Sequence, residues 1–298
     1  MSTIAITGAT GFIGSALTAR LTERGHVVRR ITRRPRRPND FGWDPEGGRL
    51  DPAALDGVDG VVNLAGASLD SRWTASRMAE IRRSRVLGTR LLVESVARAA
   101  RPPVLVSASA VGYYGERGDE LLDESSAPGE GFLAEVCREW EAATAPAADA
   151  GARVVRTRFG LVLGPGGGLL GALLLPFRLG LGARLGDGRQ WMSCVALEDV
   201  VGAIGFALAT ESLSGPVNVV APEPVTNAEF TVLLARALHR PALFSLPSLV
   251  LRLALGARQA NEMALVSQRA VPRALLAAGY GFSYPTVADA LHGALPRA

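Results

Sequence analysis

Through the first half of the chain, short β-branched apolar runs alternate with longer segments whose apolar positions recur at helical spacing. Residues 3–7 (TIAIT) predict a strand, and a helical pattern follows to about Arg24. Further strands are predicted at 26–32 (HVVRRIT), 60–66 (GVVNLAG), 103–109 (PVLVSAS) and 152–158 (ARVVRTR). Between them lie a long helix over 75–100 and a shorter one from Phe132 to Ala145, which Pro146 stops. Strands alternating with helices of this length predict right-handed βαβ units, and so an α/β fold with a Rossmann-type doubly wound parallel sheet. After about Leu163 glycines and prolines become frequent and the rhythm loosens. One more strand is expected at 215–221 (GPVNVVA), then a capped helix over 226–238 with Glu229 in its first turn. The pattern divides the chain into a doubly wound domain over 1–163, with return segments near 193–221, and a smaller C-terminal α/β lobe over 164–298.

Composition narrows the setting. With 48% hydrophobic and 20% charged residues the chain reads as globular and not disordered. Cys137 and Cys194 are too few for a disulfide framework, which points to a reducing cytoplasm. The first motif opens almost at residue 1, leaving no room for a secretory leader, so a cytoplasmic location is expected. The most membrane-like stretch, 160–182, is interrupted by glycines, Pro165, Pro176 and Arg178, well short of the ~20 apolar residues a span needs. It reads as a buried or ligand-covering segment, and no membrane partner is expected. The apolar piece 243–256 reads as lobe core or a subunit contact, in a monomer or a homodimer. All 32 basic side chains are arginines, so no Schiff base, Walker lysine or lysine-tuned acid is available.

The first candidate chemistry lies in residues 6–17, ITGATGFIGSAL, where Gly8, Gly11 and Gly14 sit at the turn from strand to helix. The turn needs positive φ, a phosphate needs close approach to the main chain, and the helix needs to pack on the strand. The helix start then offers free N–H groups to a pyrophosphate, with Thr10, Gly11, Phe12, Ile13 and Gly14 around it. An NAD-binding unit usually ends its second strand with an acid that binds the ribose hydroxyls. Here Thr32, Arg33 and Arg34 occupy that region. A guanidinium holds a 2′-phosphate in a charge-assisted fork, so the pattern favours NADP(H), with Arg33 as the phosphate partner. The arginine cluster has no interleaved aromatics and no nucleic-acid motif, so nucleic acid is not expected as a partner.

TGATGFIG (7–14), NLAG (63–66) and SASAVGYYG (107–115) resemble the phosphate loop, third-strand motif and serine-bearing strand of the extended short-chain dehydrogenases. WDP (43–45), residues 71–92, FLAEVCREWEAA (132–143), residues 173–193 and residues 215–230 are similar to an atypical branch. Its members are labelled epimerase-family proteins, sometimes cell-division-inhibitor-like. The resemblance implies an NADP(H)-holding Rossmann domain and a C-terminal lobe that binds a small-molecule substrate. It implies that Gly8, Gly11, Phe12 and Ile13 surround the pyrophosphate, with Asn63, Leu64, Ala65 and Gly66 on the adenosine side and Ser107 on the ribose side. Ser109 would be the catalytic serine.

Two departures stand out. The class carries Tyr-x-x-x-Lys on the helix after the serine strand, but Leu133 and Cys137 occupy those positions here. Tyr113 and Tyr114 are the remaining phenols near Ser109 in sequence and are candidate proton donors. Relatives also show Trp-Ile-His where this chain has Cys194-Val195-Ala196. The three histidines, His26, His239 and His292, have no metal-ligand spacing, so no metal is expected. Glu141, one turn past Cys137, and Arg189, Gln190 and Trp191 are candidate substrate contacts. Two functions fit: an NADP(H)-dependent oxidoreductase or epimerase-like enzyme acting on a carbonyl or carbinol, or a catalytically silent NADP(H)-binding regulatory protein linked to cell division.

Overall fold

The computed structural model describes residues 1–295. The chain forms two compact units. The first gathers residues 1–109, 136–157 and 201–217; the second gathers 110–135, 158–200 and the chain from Asn218 onward.

The first unit's core is carried by an eight-stranded sheet of β1 (Thr3–Thr7), β2 (Val27–Thr32), β3 (Asp40–Asp44), β4 (Arg49–Leu50), β5 (Gly60–Asn63), β6 (Val104–Ala110), β7 (Val154–Phe159) and β8 (Gly215–Val219). Its spatial order is β8-β7-β6-β5-β1-β2-β3-β4. β1 runs parallel to β2 and β5, β2 to β3, and β5 to β6, while β4 turns back antiparallel to β3. All four residues of β5 and four of the five in β1 are buried, as expected for parallel strands covered on both faces. Helix α1 (Phe12–Glu23) buries Leu17 and Leu21, and α2 (Ala75–Ala97) buries Ile81, Leu92, Val93 and Val96 at helical spacing. Thr74 caps α2 by accepting from the Arg77 amide. β3 and β4 had no sequence signal, because DFGWD holds a glycine and two acids and buries only Trp43.

The second unit is assembled from short pairings. Leu161–Gly164 lies parallel to Cys194–Ala196, and Trp191–Met192 antiparallel to Val225–Thr226. Its core includes Leu163, Leu170, Phe177, Cys194, Phe230 and Leu291. The helix Asn227–Ala237 starts on a capping box between Thr226 and Glu229, as the sequence predicted. The stretch 160–182 becomes a strand and then a helix, Gly168–Arg178. Among the described residues no helix is long and apolar enough to cross a membrane. The piece 243–256 is not lobe core: only Leu251 is buried, while Leu243, Phe244, Leu249, Val250 and Leu253 are exposed.

Candidate functional site

β1 ends at Thr7, and the chain turns at Gly8 with φ +68°. A Cβ there would lie 2.8 Å from the Leu64 carbonyl carbon and oxygen, so Gly8 is required by conformation and by space. The Gly11 amide donates to the Gly8 carbonyl at 2.9 Å, and a Cβ on Gly14 would overlap that same oxygen. The turn is thus folded flat against the neighbouring backbone. Helix α1 starts at Phe12 with Gly11 as its N-cap, and no side chain caps it. Its first amides are left for an acceptor from outside the helix, and no acid occupies the first turn.

Beside this turn lies an open pocket of about 530 Å³, lined by Thr10, Thr32, Arg33, Arg34 and Arg36. The nearby acid does not neutralise it. Partial burial would raise the Asp40 carboxyl, but the amides of Arg36 and Arg37 and the Arg30 guanidinium outweigh that and hold it below the usual carboxylate range. Arg30 reaches it at 2.6 Å. Arg33 and Arg34 are exposed and have no ion-pair partner among the described residues.

The strand register aligns Thr7 with Asn63, and Asn63 with Ser107, at the carboxyl ends of β1, β5 and β6. Thr7 Oγ1 donates to Asn63 Oδ1 at 2.7 Å, and Asn63 Nδ2 donates to Thr89 Oγ1 at 2.8 Å and Ser107 Oγ at 3.2 Å. Trp140 Nε1 donates to Thr89 Oγ1 at 2.9 Å, while the Leu64 and Ala65 amides donate to Thr7 Oγ1 at 3.2 and 3.3 Å. Asn63 and Ser107 are fully buried, and their side chains brace the strand ends. Leu64 and Ala65 are half-buried and Gly66 is exposed, with the Arg85 guanidinium packed against it.

Ser109 is 2% exposed near the end of β6, and its Oγ donates to Glu141 Oε1 at 2.7 Å. Glu141 is 7% exposed and comes from α3 (Phe132–Ala142). Buried and already bonded to Ser109, it is not the open substrate contact that the sequence suggested. Leu133 and Cys137 precede it on the same face of α3, and Cys137 is buried.

The two tyrosines differ. Tyr114 is fully buried, its hydroxyl 2.7 Å from Asn218 Oδ1, 3.0 Å from the Asp123 carbonyl and 3.0 Å from Arg158 Nη1, which donates to it. Burial pushes this phenol up to about 12, although the Arg158 charge, the hydrogen bond donated by Arg158 and the one the hydroxyl donates to Asn218 pull it down. Those contacts tie Tyr114, one of the two candidate proton donors from sequence, into a buried hydrogen-bonded position. Tyr113 is half-buried, with the Arg158 guanidinium 3.6 Å from its ring centre. Its hydroxyl has no hydrogen-bond partner among the described residues.

In the 189–191 loop, Gln190 is buried and its Nε2 donates to the carbonyls of Leu185 and Ala264, so it ties the loop down and has no amide donor left for a substrate. Arg189 is exposed beyond an Asp187 turn. Trp191 donates from Nε1 to Asp119 at 2.8 Å, with Arg269 stacked 4.2 Å from its ring centre. Sequence reasoning missed Thr7, Thr89, Trp140 and Arg158. Thr89 had one signal, a small polar side chain next to Gly88 on the sheet-facing stripe of α2.

A profile of the NAD dependent epimerase/dehydratase family matches residues 4–220, and a domain of unknown function matches 246–294. The chain belongs to the NAD-dependent epimerase/dehydratase family. Within this epimerase family, a protein of Mycobacterium tuberculosis is 49% identical over 296 residues, covering 99% of this chain and 98% of that one. The human epimerase family protein SDR39U1 is 39% identical over 293 residues, 97% of this chain and 98% of that one. Its crystal structure with NADPH matches at a TM-score of 0.91 with 37% identity, covering 98% of each chain. A nucleoside-diphosphate sugar epimerase from Corynebacterium glutamicum matches at 0.82 with 40% identity, over 98% of this chain and 58% of that one. The Rossmann-type fold expected from the sequence is the fold found.

Proposed function

We propose that this epimerase-family chain is an NADP(H)-dependent oxidoreductase or epimerase-like enzyme that exchanges hydride with a carbonyl or carbinol carbon. The observation that carries the reading is the glycine turn beside an arginine-lined pocket. Gly8 and Gly14 leave no space for a Cβ, the start of α1 has no side-chain cap, and no acid ends β2. These residues fit a triply phosphorylated dinucleotide. Gly8, Thr10, Gly11, Phe12, Ile13 and Gly14 would take the pyrophosphate on main-chain amides. Arg33, with Arg34 and Thr32 beside it, would take the 2′-phosphate. Leu64, Ala65 and Gly66 would flank the adenosine, with Asn63 and Ser107 fixing the strand ends beneath. The human relative crystallised with NADPH supports the choice of dinucleotide.

When bound, the nicotinamide would supply or accept the hydride. Ser109 would orient the substrate oxygen, and Tyr113, whose hydroxyl is uncommitted, would contact the substrate. Arg189 and Trp191 would be further substrate contacts. The test is calorimetry with NADPH and NADH, followed by single-turnover oxidation of bound NADPH by a panel of ketones and sugar nucleotides. Micromolar NADPH binding with a preference over NADH, and oxidation by at least one carbonyl class, is expected. Absence of NADPH binding refutes the reading outright.

A second reading has its own observation. The two positions where the wider class carries tyrosine and lysine hold Leu133 and a buried Cys137. A protein that binds NADPH and oxidises it with no carbonyl would be a nucleotide-loaded regulatory protein.

A further inference from the structure

The helix face that carries the proton relay elsewhere in the extended short-chain class presents Leu133, Cys137 and Glu141 here, at intervals of one turn. Of the three, only Glu141 carries a side-chain oxygen. It is more than nine-tenths buried, and a carboxyl group withdrawn from water is costly unless its neighbours bond it. Ser109 is such a neighbour. The 2.7 Å separation of Ser109 Oγ and Glu141 Oε1 is that of a well-formed O–H···O hydrogen bond. The helix and the serine strand are thus joined through a titratable oxygen where the tyrosine and lysine are absent.

From this geometry we infer that Glu141 is a positioning residue that accepts the proton of Ser109, so that the pair moves the substrate proton in place of the missing tyrosine and lysine. The inference rests on the oxidoreductase reading above. A serine hydroxyl has one proton and two lone pairs. With its proton donated to Glu141, Ser109 offers only lone pairs to a substrate, which suits a carbinol O–H and not a carbonyl oxygen. During oxidation the carbinol O–H bond breaks and its proton passes to Ser109 Oγ. The original Oγ–H proton passes to Glu141 Oε1, and the carbinol hydrogen leaves carbon with its electron pair for the oxidised nicotinamide. A carbonyl product and a neutral Glu141 remain. Reduction runs each transfer backwards: neutral Glu141 returns its proton to Ser109, whose hydroxyl proton goes to the carbonyl oxygen.

The test uses the full chain loaded with NADPH, in single turnover against 9,10-phenanthrenequinone and the ketone and sugar-nucleotide panel. The most rapidly reduced member serves as the probe. Rates in mixtures of light and heavy water come first, since they need no variant. A bowed dependence on deuterium fraction is expected, because two protons move together; a straight line overturns the relay. Glu141→Gln keeps the shape and removes the acceptor. It is expected to slow turnover by about 100-fold or more, to straighten the solvent-isotope plot, and to leave the NADPH Kd within twofold. Glu141→Asp keeps the acid at shorter reach and should recover part of the loss. Equal rates in the Asp and Gln variants, or a loss of NADPH affinity in step with rate, would assign Glu141 to packing and overturn the relay alone. A protein that binds NADPH and reduces no member of the panel overturns the oxidoreductase reading and the relay together.

Discussion

Removing the Arg33 side chain is the sharpest test of cofactor choice. Arg33 lines the pocket after β2 with Thr10, Thr32, Arg34 and Arg36 and no acid, and Asp40 on β3 is held by Arg30 and by two loop amides, so the guanidinium charge is not cancelled by an ion pair among the described residues. A hydrogen bond to a charged group contributes about 1.5–3 kcal/mol, and exposure at this loop leaves the lower part of that range after screening. At tenfold per 1.4 kcal/mol, a loss of about 1.5–2 kcal/mol corresponds to an NADPH Kd raised about 10–30-fold in Arg33→Ala. NADH lacks the 2′-phosphate, so its affinity should stay within twofold. Titration calorimetry with both dinucleotides, at low and then at raised salt, measures the difference directly. The gap between wild type and variant should narrow as salt rises. An equal loss for NADPH and NADH would mean that Arg33 supports the loop and does not read the phosphate. No loss for either would remove it from the site.

Three further outcomes are expected. Asn63→Leu deletes three buried hydrogen bonds at a similar volume and should lower stability by about 3 kcal/mol at ~1 kcal/mol each; an unchanged calorimetric transition would refute the bracing role. Gly14→Ala drives a Cβ into the Gly8 carbonyl, which sits in backbone and cannot swing aside, so a cost of about 1–3 kcal/mol should appear with a weakened NADPH site. Tyr114 is raised from 10.0 to about 12, so its contribution to stability is complete below pH 10 and is lost as pH climbs towards 12. Burial and the nearby Asp199 and Glu198 push the Tyr280 phenol up as well, so ultraviolet titration of phenolate should show late-ionising tyrosines that include both, one fewer in Tyr114→Phe, and a full complement ionising near pH 10 would contradict the burial of Tyr114.

The alternating strands and helices of the first unit were legible because parallel strands covered on both faces need unbroken apolar runs, and TIAIT, GVVN and VLVSAS supply them. The glycine turn was legible for a related reason, since its spacing answers a backbone requirement that few other arrangements share. β3 and β4 were not, because a short edge pair with one buried tryptophan has no periodic signal. Side-chain destinations were harder still. Asn63, Ser107, Tyr114 and Gln190 all bear polar groups in motif-like segments, yet their hydrogen-bond partners, such as Thr7, Leu185, Ala264 and Asn218, lie 5 to 104 residues away. Burial of a polar atom is settled by what folds over it, and a linear pattern does not contain that. Glu141 shows the same limit: its helix position was visible, whereas its bond to Ser109 depends on how α3 meets β6.

The row of Thr7, Asn63 and Ser107 has an effect on how the sheet is assembled. Sliding one of these strands by a single residue would turn its side chains to the opposite face and strand the polar ends in apolar surroundings. These bonds therefore act as an index mark for alignment. A misregistered chain would lose its core and the glycine turn at the strand ends at once, so errors of assembly here give an unfolded protein sooner than a well-folded protein with a defective turn.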